Sequence, residues 1–438
     1  MEAEQEKTYM RLQPEYVGKF QCDGAVCNSK CCKRWAVDID GATYQKYCTI
    51  EPKTERKKIV SRIKYKKQKN MFFVEMAKND ACPFLRSDGL CHIQKTWGAD
   101  WLSNTCTMYP RKPYMAGELM MMALTLTCPV AAKQALLPKE PMAFEEVPMT
   151  AETQDKLIRR CVGRLSKMGD AFIDIQYGSI SILQNRSLTI DQRLIVLGFF
   201  LDQADDMVKA GTPEQIETLA AVYTAEDFLE RVPEMLRAID FRVAEYVKSM
   251  FGLIETLYGK DAKFQGREHS LMRRVVSAFG LKDQEVPLAD LVETYIKTFR
   301  PAQEALLQKF GHIFENYLVN EFFLEHYPQR IVGTLVQNYI LFVMTYKLLE
   351  FIVVSVAVTG EAEREKEPSE PETGKTEQGK TETGEMDEET LVDLIGHMVA
   401  SFDHSTEFLK SVAKDALKRQ KDVVACMKNL LYAGDEFA

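Results

Sequence analysis

Beyond about residue 149, apolar residues recur at three- and four-residue intervals, the spacing of one buried face of an α-helix. Leu194, Leu197, Leu201 and Met207 keep this rhythm, and so do Leu306, Phe310, Phe314 and Leu318. Gly211 reads as a helix stop, and Thr212-Pro213-Glu214-Gln215 as an N-cap, a proline at the first helical position and a capping-box glutamine. Thr224 with Asp227 repeats that start signal. Few β-branched runs bounded by glycine interrupt the pattern, and no fixed-period repeat is visible. The most apolar stretch, Ile340 to Val358, is broken by Lys347 and Glu350, which predicts a buried helix rather than a membrane span. Gly360 to Glu388 is a run of Glu, Lys, Thr, Gly and Pro too polar to form a core, so disorder is expected there. Helix is expected to resume near Glu389 and run to about Tyr432, with Leu391, Leu394, Ile395, Met398 and Val399 on one face.

The first 138 residues lack this rhythm. Turn signals are dense, which suits short helices and loops wrapped around metal. Asp38 to Tyr47 reads as a short helix, and residues 71–76 as a short strand or buried turn. Lys53 to Lys69 holds nine basic residues and one acid, Glu55. Ile59 and Ile63, at i and i+4, suggest that this run is a helix with one buried edge. The fold class expected is mainly α: a cysteine-rich metal-binding head (10–138), a helical bundle body (149–358), an acidic low-complexity insert (360–388), and C-terminal helices (389–434) packing on the body.

With 438 residues, 46% hydrophobic and 27% charged, the chain has globular composition and room for two or three cores. Net charge is −8 but uneven: residues 1–135 carry 22 Lys and Arg against 14 Asp and Glu, and the remainder is acidic. A basic head on an acidic body can steer an acidic protein surface onto the head. The basic run contains one aromatic residue, Tyr65, so a solvated or protein-docking face is expected rather than nucleic-acid binding. The N-terminus, Met1-Glu2-Ala3-Glu4-Gln5-Glu6-Lys7, is unlike a secretory leader. A cytoplasmic location with no membrane contact follows as the expectation, and a reducing compartment keeps thiols free for metal.

Eight of the eleven cysteines form one array: Cys22, Cys27, Cys31 and Cys32, then Cys82, Cys91, Cys106 and Cys128. Such density without secretion points to metal rather than disulfides. Eight thiolates exceed one four-ligand site, so an iron–sulfur cluster plus a zinc, or two sites of one kind, are both open. Structural zinc replacing a core is the plainer alternative. Cys31 and Cys32, being adjacent, cannot easily face one metal from an extended backbone. Cys48, Cys161 and Cys426 lie outside the array and read as inert thiols. His92 is an alternative ligand, though a satisfied core histidine is expected. No G-x-G-x-x-G follows a strand, so a Rossmann-type cofactor site has no support. The radical-enzyme spacing Cys-x3-Cys-x2-Cys is also absent: Cys27-x3-Cys31 begins it, but Cys32 follows and position 34 is Arg.

The elements Cys-x3-Cys-Cys, Cys82-Pro83-Phe84-Leu85, Gly89-Leu90-Cys91-His92-Ile93 and Thr105-Cys106-x2-Tyr109-Pro110-Arg111 resemble the bacterial cysteine-cluster family described as zinc- or iron-chelating. The flanks Gln13-Pro14-Glu15-Tyr16-Val17, Cys32-x2-Trp35 with Asp38-Ile39-Asp40, Trp101-Leu102-Ser103 and Leu124-Thr125-Leu126-Thr127-Cys128-Pro129 narrow the likeness to the flagellin lysine-N-methylases, over roughly residues 10–138. This resemblance implies a lysine methyltransferase acting on flagellin, with S-adenosylmethionine and a [4Fe–4S] cluster. It places the family's metal ligands at Cys22, Cys27, Cys31, Cys32, Cys82, Cys91, Cys106 and Cys128, without saying which four hold iron. Cys48 and the 360–388 insert depart from the family pattern.

A lysine amine is protonated at neutral pH, with an ordinary pKa near 10.4, and must become neutral to attack a methyl group. A partly dehydrated channel with a tyrosine or carboxylate at its mouth serves that need. Tyr109, Tyr114, Asp38 and Asp40 lie near the cysteines in sequence and are the weak catalytic candidates, each more readily read as a packing or capping residue. Two other readings stay open: a non-catalytic, zinc-stapled module docking through Lys53–Lys69, and an iron–sulfur electron-transfer or maturation protein.

Overall fold

The computed structural model of the chain describes residues 9–24, 27, 30–33, 37–151, 153, 157, 164–165, 171–237, 239, 241–258, 267–280, 286–330, 333–360, 386–404 and 423–431. Helices dominate, as the periodicity predicts. The chain divides into two compact units. The first comprises residues 1–173, 323–325 and 399–404, and the second 174–322, 326–398 and 405–438.

The first unit is built on a mixed five-stranded sheet. Its strands are β1 (Tyr9–Pro14), β5 (Arg111–Ala116), β6 (Leu119–Leu124), β7 (Phe144–Met149) and β8 (Arg164–Leu165). They lie in the order β7-β1-β6-β5-β8. The short helix α1 (Glu15–Lys19) follows β1 directly. The expectation of short helices and loops misses this sheet. Central β6 reads Leu-Met-Met-Met-Ala-Leu, with Met120 to Leu124 all buried. A strand buried on both faces loses polar–apolar alternation, and methionine and alanine carry little strand preference. The β5–β6 hairpin turns at Gly117, whose φ of 61° is left-handed and suits glycine. Tyr114 is fully buried on β5, and its hydroxyl donates to the carbonyl of Phe323 at 3.0 Å.

A second sheet joins β2 (Asp38–Ile39), β3 (Ile63–Lys66) and β4 (Met71–Val74), in the order β2-β4-β3. Helices α2 (Gly41–Cys48) and α3 (Lys53–Val60) accompany it. The predicted helix over 38–47 therefore begins later, because Asp38 and Ile39 pair with Phe73 and Phe72. The predicted helix over 53–69 stops at Val60. Ile59 and Ile63 are both buried in the same core, but one stands on a helix and the other on a strand. Residues 71–74 form the strand that their composition suggests.

In the second unit the predicted apolar faces are buried: Leu194, Leu197 and Leu201 on helix Ile190–Ala210, Leu306, Phe310, Phe314 and Leu318 on helix Arg300–Leu324, and Leu391, Leu394, Ile395 and Met398 on helix Glu388–His404. Gly211 closes the first of these in the left-handed conformation. Two start signals mark helix starts at or next to the expected positions, Pro213 and Glu226, but without the expected side-chain caps. Thr212 stands at the start of a 3₁₀ turn, Pro213–Gln215, that leads straight into helix Ile216–Thr224, but it makes no side-chain cap and donates its hydroxyl to the carbonyl of Met207. Thr224 ends one helix, its hydroxyl satisfied by the carbonyl of Ala220. The capping boxes lie elsewhere, at Thr189 with Gln192 and Thr334 with Gln337. The expected low-complexity stretch lies outside the described residues over 361–385.

Helix Leu335–Val358 is long and apolar enough to cross a membrane, but 94% of its apolar window is buried inside the fold. Its two charged residues explain how it sits there. Lys347 is fully buried, 3.1 Å from Asp191 and in contact with Glu350. Tyr346 and Gln303 each donate a hydrogen bond to Glu350, at 2.9 and 2.8 Å. Burial works against the ammonium, but the two facing carboxylates overcome it and hold Lys347 protonated.

Removing one member of such a group strands its partners without solvation. Lys347→Met should cost about 3–5 kcal/mol in chemical denaturation, with much of it recovered when Asp191→Asn and Glu350→Gln are added. A single-variant loss below about 1 kcal/mol would deny this cluster its structural role. Tight packing gives a second test. A Cβ on Gly198 would lie 2.6 Å from the Tyr339 ring and 2.7 Å from Met427. Gly198→Ala should therefore lower stability by about 1–3 kcal/mol, although alanine is the better helix former.

Candidate metal centre

The sulfur-bearing segments are brought together by backbone ties. Cys31 and Cys32 end a 3₁₀ turn, Lys30–Cys32, and their Sγ atoms stand 3.8 Å apart. That tight turn, not an extended chain, sets their directions. The Cys82 N–H donates to the carbonyl of Cys32 at 2.7 Å, and Lys33 bridges to Ala81. Leu85 bridges to Cys91. His92 opens α4 (His92–Trp97), and its N–H donates to the carbonyl of Phe84 at 2.7 Å. Cys106 lies on α5 (Asn104–Met108), whose cap Ser103 accepts from the Cys106 N–H at 3.3 Å. Cys128 directly precedes α6 (Pro129–Leu136).

Peptide N–H groups face several sulfurs: Phe84 toward Cys82, Ile93 and Gln94 toward Cys91, and Val130 and Ala131 toward Cys128. These donors favour thiolate, but burial outweighs them. It pushes Cys82 up to about 12 and Cys106 and Cys128 up to about 11, and it raises Cys91 as well. Cys31 is raised chiefly by its contact with Cys32, then by burial. Neighbouring thiolates would repel one another in a low-dielectric setting, and a metal cation reverses that penalty. The donor chemistry, soft sulfurs with N–H support and little water, therefore fits a thiolate-bound metal or cluster. Among the described residues, no three His, Cys, Asp or Glu side chains converge closely enough to hold a metal ion. All ten described cysteines are free thiols: Cys426 is buried, Cys48 is half-buried, and Cys161 lies outside the described residues.

His92 has both ring nitrogens engaged, Nε2 with Glu55 at 3.2 Å and Nδ1 with Thr96 at 3.4 Å. The four catalytic candidates separate clearly. Asp40 caps α2, accepting from the Thr43 N–H, the Thr43 hydroxyl and the Asn104 N–H at 2.9, 2.8 and 3.0 Å. Asp38 is half-buried on β2. Tyr114 is committed to the Phe323 carbonyl. Tyr109 alone of the four stands among sulfurs, beside Cys128, Cys31 and Cys27, with its hydroxyl 3.1 Å from that of Thr127. Burial raises its pKa, so it stays a neutral phenol.

Sequence spacing misses several neighbours of the sulfurs. Arg111 is close to Cys22 and Cys128, Tyr47 is close to Cys82, Cys91 and Cys106, and Thr127 holds Tyr109. The flanking motifs do contain Arg111 and Thr127, but nothing in their spacing shows which sulfur each one faces. Tyr16 secures the sheet: its hydroxyl donates to the Leu124 carbonyl at 3.4 Å and accepts from the Leu124 N–H at 3.3 Å.

Fold and site together define a mainly helical protein with a thiol-rich unit. The sequence model of the FliB lysine N-methylase C-terminal domain matches residues 177–431, more than half of the chain. The chain belongs to this lysine N-methylase family. It is 33% identical over 144 residues to the Lysine-N-methylase of Salmonella typhimurium, covering 32% of this chain and 36% of that protein. It is 34% identical over 137 residues to the flagellar biosynthetic protein FliU of Salmonella muenchen, covering 31% of this chain and 81% of that one. The Lysine-N-methylase of Salmonella choleraesuis is similar at 32% identity over 144 residues, 36% of its length. The matches thus span about a third of the two lysine-N-methylases. No solved structure matches the chain.

The Asp40 cap gives a test of local order around Cys106, since it ties α2 to the start of α5. Burial opposes its charge, but the Asn104 and Thr43 donors outweigh burial and lower its pKa below the unfolded value of about 3.9. Its contribution is therefore full above pH of about 4 and fades as pH falls through the lower folded value. Asp40→Ala should lose about 1 kcal/mol at neutral pH in chemical denaturation. The gap from wild type should narrow in acid, and a gap independent of pH would refute the capping role.

Proposed function

We propose that the protein methylates surface lysines of flagellin in the cytoplasm, taking the methyl group from S-adenosylmethionine, and that its cysteine-rich unit holds a [4Fe–4S] cluster. The family match over residues 177–431 is the observation that carries this reading. The flagellar name of the FliU relative and the thiol array support it. The eight array cysteines are together the ligand pool, and zinc is the alternative or second occupant.

The substrate amine loses its proton to reach the neutral, nucleophilic form, and its nitrogen then bonds the methyl carbon as the carbon–sulfur bond of the sulfonium breaks. Bound S-adenosylmethionine supplies the electrophilic methyl, and a cluster supplies iron able to bind ligands or relay electrons. The chain's own residues must strip water from the lysine and align it. Tyr109 suits that work: it is buried, neutral and held by Thr127. A phenol in that state can accept a hydrogen bond from the amine or donate one, while the neutral form persists at physiological pH. Asp40 and Tyr114 are committed to capping and packing, and Asp38 lies on a paired strand.

The test is mass spectrometry of flagellin incubated with S-adenosylmethionine and protein purified without oxygen. Methylated lysines are expected with wild type. Tyr109→Phe should lower the rate by about a hundredfold at unchanged iron content, the low end of an acid–base contribution. An unchanged rate with intact metal would remove Tyr109 from the mechanism. No methylation by metal-loaded wild type would refute the functional reading.

A further inference from the structure

We propose that Arg11, Gln13, Arg111, Gln134 and Glu145 form a binding site for the free amino-acid end of a ligand, its carboxylate taken by the two arginines and its ammonium by the two glutamines and Glu145. S-adenosylmethionine carries such an end, and naming it as the ligand rests on the methyl-donor reading above. The site draws on no sulfur of the cysteine array.

Strand register puts the polar groups on one face of the five-stranded sheet. Side chains alternate along a strand, so Arg11 and Gln13 share a face. Gln13 stands opposite Glu145 on β7, and Arg11 opposite Met120 on β6. Met120 and Leu124 share that face too, and Arg111 stands opposite Leu124 on β5. Arg11 accordingly has Glu145 and Arg111 as charged neighbours.

The chain just beyond β1 gathers the same groups. A Cβ on Gly18 would lie 3.1 Å from Glu145 Oε1 and 3.7 Å from Gln13 Nε2. The Lys19 carbonyl accepts from Gln134 Nε2 at 3.4 Å. The Arg111 guanidinium lies over the Phe20 ring, 5.1 Å from its centre. Three consecutive residues therefore meet Gln13, Glu145, Gln134 and Arg111. Gly18 and Lys19 are exposed, and both arginines and Glu145 are half-buried, so a small ligand can reach them from solvent.

Three buried atoms here have no hydrogen-bond partner among the described residues: Arg11 Nε, Gln13 Oε1 and Gln134 Oε1. The amide orientations are fixed by their acceptors. Gln13 Nε2 donates to Glu145 at 2.7 Å and Gln134 Nε2 to the Lys19 carbonyl, so the oxygen is the atom left over in each side chain. Gln13 is 1% exposed, where an unmade hydrogen bond is costly. One donor and two acceptors thus remain. A carboxylate supplies what Arg11 Nε lacks, and an ammonium, with three N–H donors, supplies what the amide oxygens lack. Charge agrees: two guanidiniums accompany one carboxylate, which leaves a positive charge over for the ligand's carboxylate. A simple anion would leave both amide oxygens unmatched, and a simple amine would leave the arginine so.

The test is isothermal titration of the full chain with S-adenosylhomocysteine, with methylthioadenosine, which lacks the amino-acid end, and with free methionine. Wild type should bind S-adenosylhomocysteine at least about tenfold more tightly than methylthioadenosine. Arg11→Gln and Gln13→Met should each remove that preference while methylthioadenosine binds as before, which also shows that the variant is folded. Variants that keep the full preference would overturn the site and leave S-adenosylmethionine as the methyl donor. Binding of free methionine that Arg11→Gln abolishes, with no adenosyl compound bound, would uphold an amino-acid site and overturn the donor reading. Binding of none of the three would overturn both.

Discussion

A thiolate kept out of water needs a cation or several N–H donors beside it, and the architecture of the first unit answers to that requirement. Cys82, Cys91 and Cys128 receive peptide N–H groups from the residues just after them, yet burial still keeps the thiols protonated. The N–H donors alone are too weak to hold thiolate there, so these sulfurs stand as neutral thiols. Each cysteine-bearing loop is fixed from outside: by the Cys82–Cys32 and His92–Phe84 backbone bonds, by the Ser103 cap, and by the Asp40 bridge to Asn104. These ties act on backbone, so the loops hold their shape without borrowing polar contacts from the sulfurs.

The five-stranded sheet provides the rigid side of this arrangement. β5 carries Arg111 and follows Tyr109 closely, while β6 runs into Thr125, Thr127 and Cys128. The two strands pair in register from Arg111–Leu124 to Ala116–Leu119, which places the Tyr109 and Thr127 hydroxyls opposite each other. Within the second unit, rigidity comes from a different source. There a fully buried lysine and glutamate must satisfy one another and Asp191, which restricts helix Leu335–Val358 to one register against helix Ile190–Ala210. Close approach at Gly198 reinforces that register.

Much of this is legible in the sequence. The helical faces through Leu194 and Phe314 are read correctly from spacing, because an apolar stripe at that period fits a half-buried helix and no strand. The cysteine array and its flanking motifs identify the family that the match over residues 177–431 independently shows. Other features are hidden for identifiable reasons. β6 lacks alternation because both of its faces are covered. Ile63 mimics a helical partner of Ile59 because two elements happen to feed one core. Thr212 and Thr224 resemble caps but spend their hydroxyls on carbonyls of preceding turns. The grouping of sulfurs is tertiary information: Cys32 and Cys106, far apart in sequence, pack against one core, and no local pattern tells which sulfur joins it.

The central proposal for this lysine N-methylase family member is that its cysteine-rich unit holds an iron–sulfur cluster. The most direct measurement is the visible absorption spectrum of protein purified without oxygen, with iron, sulfide and zinc assayed on the same sample. A brown protein with broad thiolate-to-iron absorption and about four irons and four sulfides per chain is the predicted result. A colourless protein with stoichiometric zinc and no sulfide would contradict it.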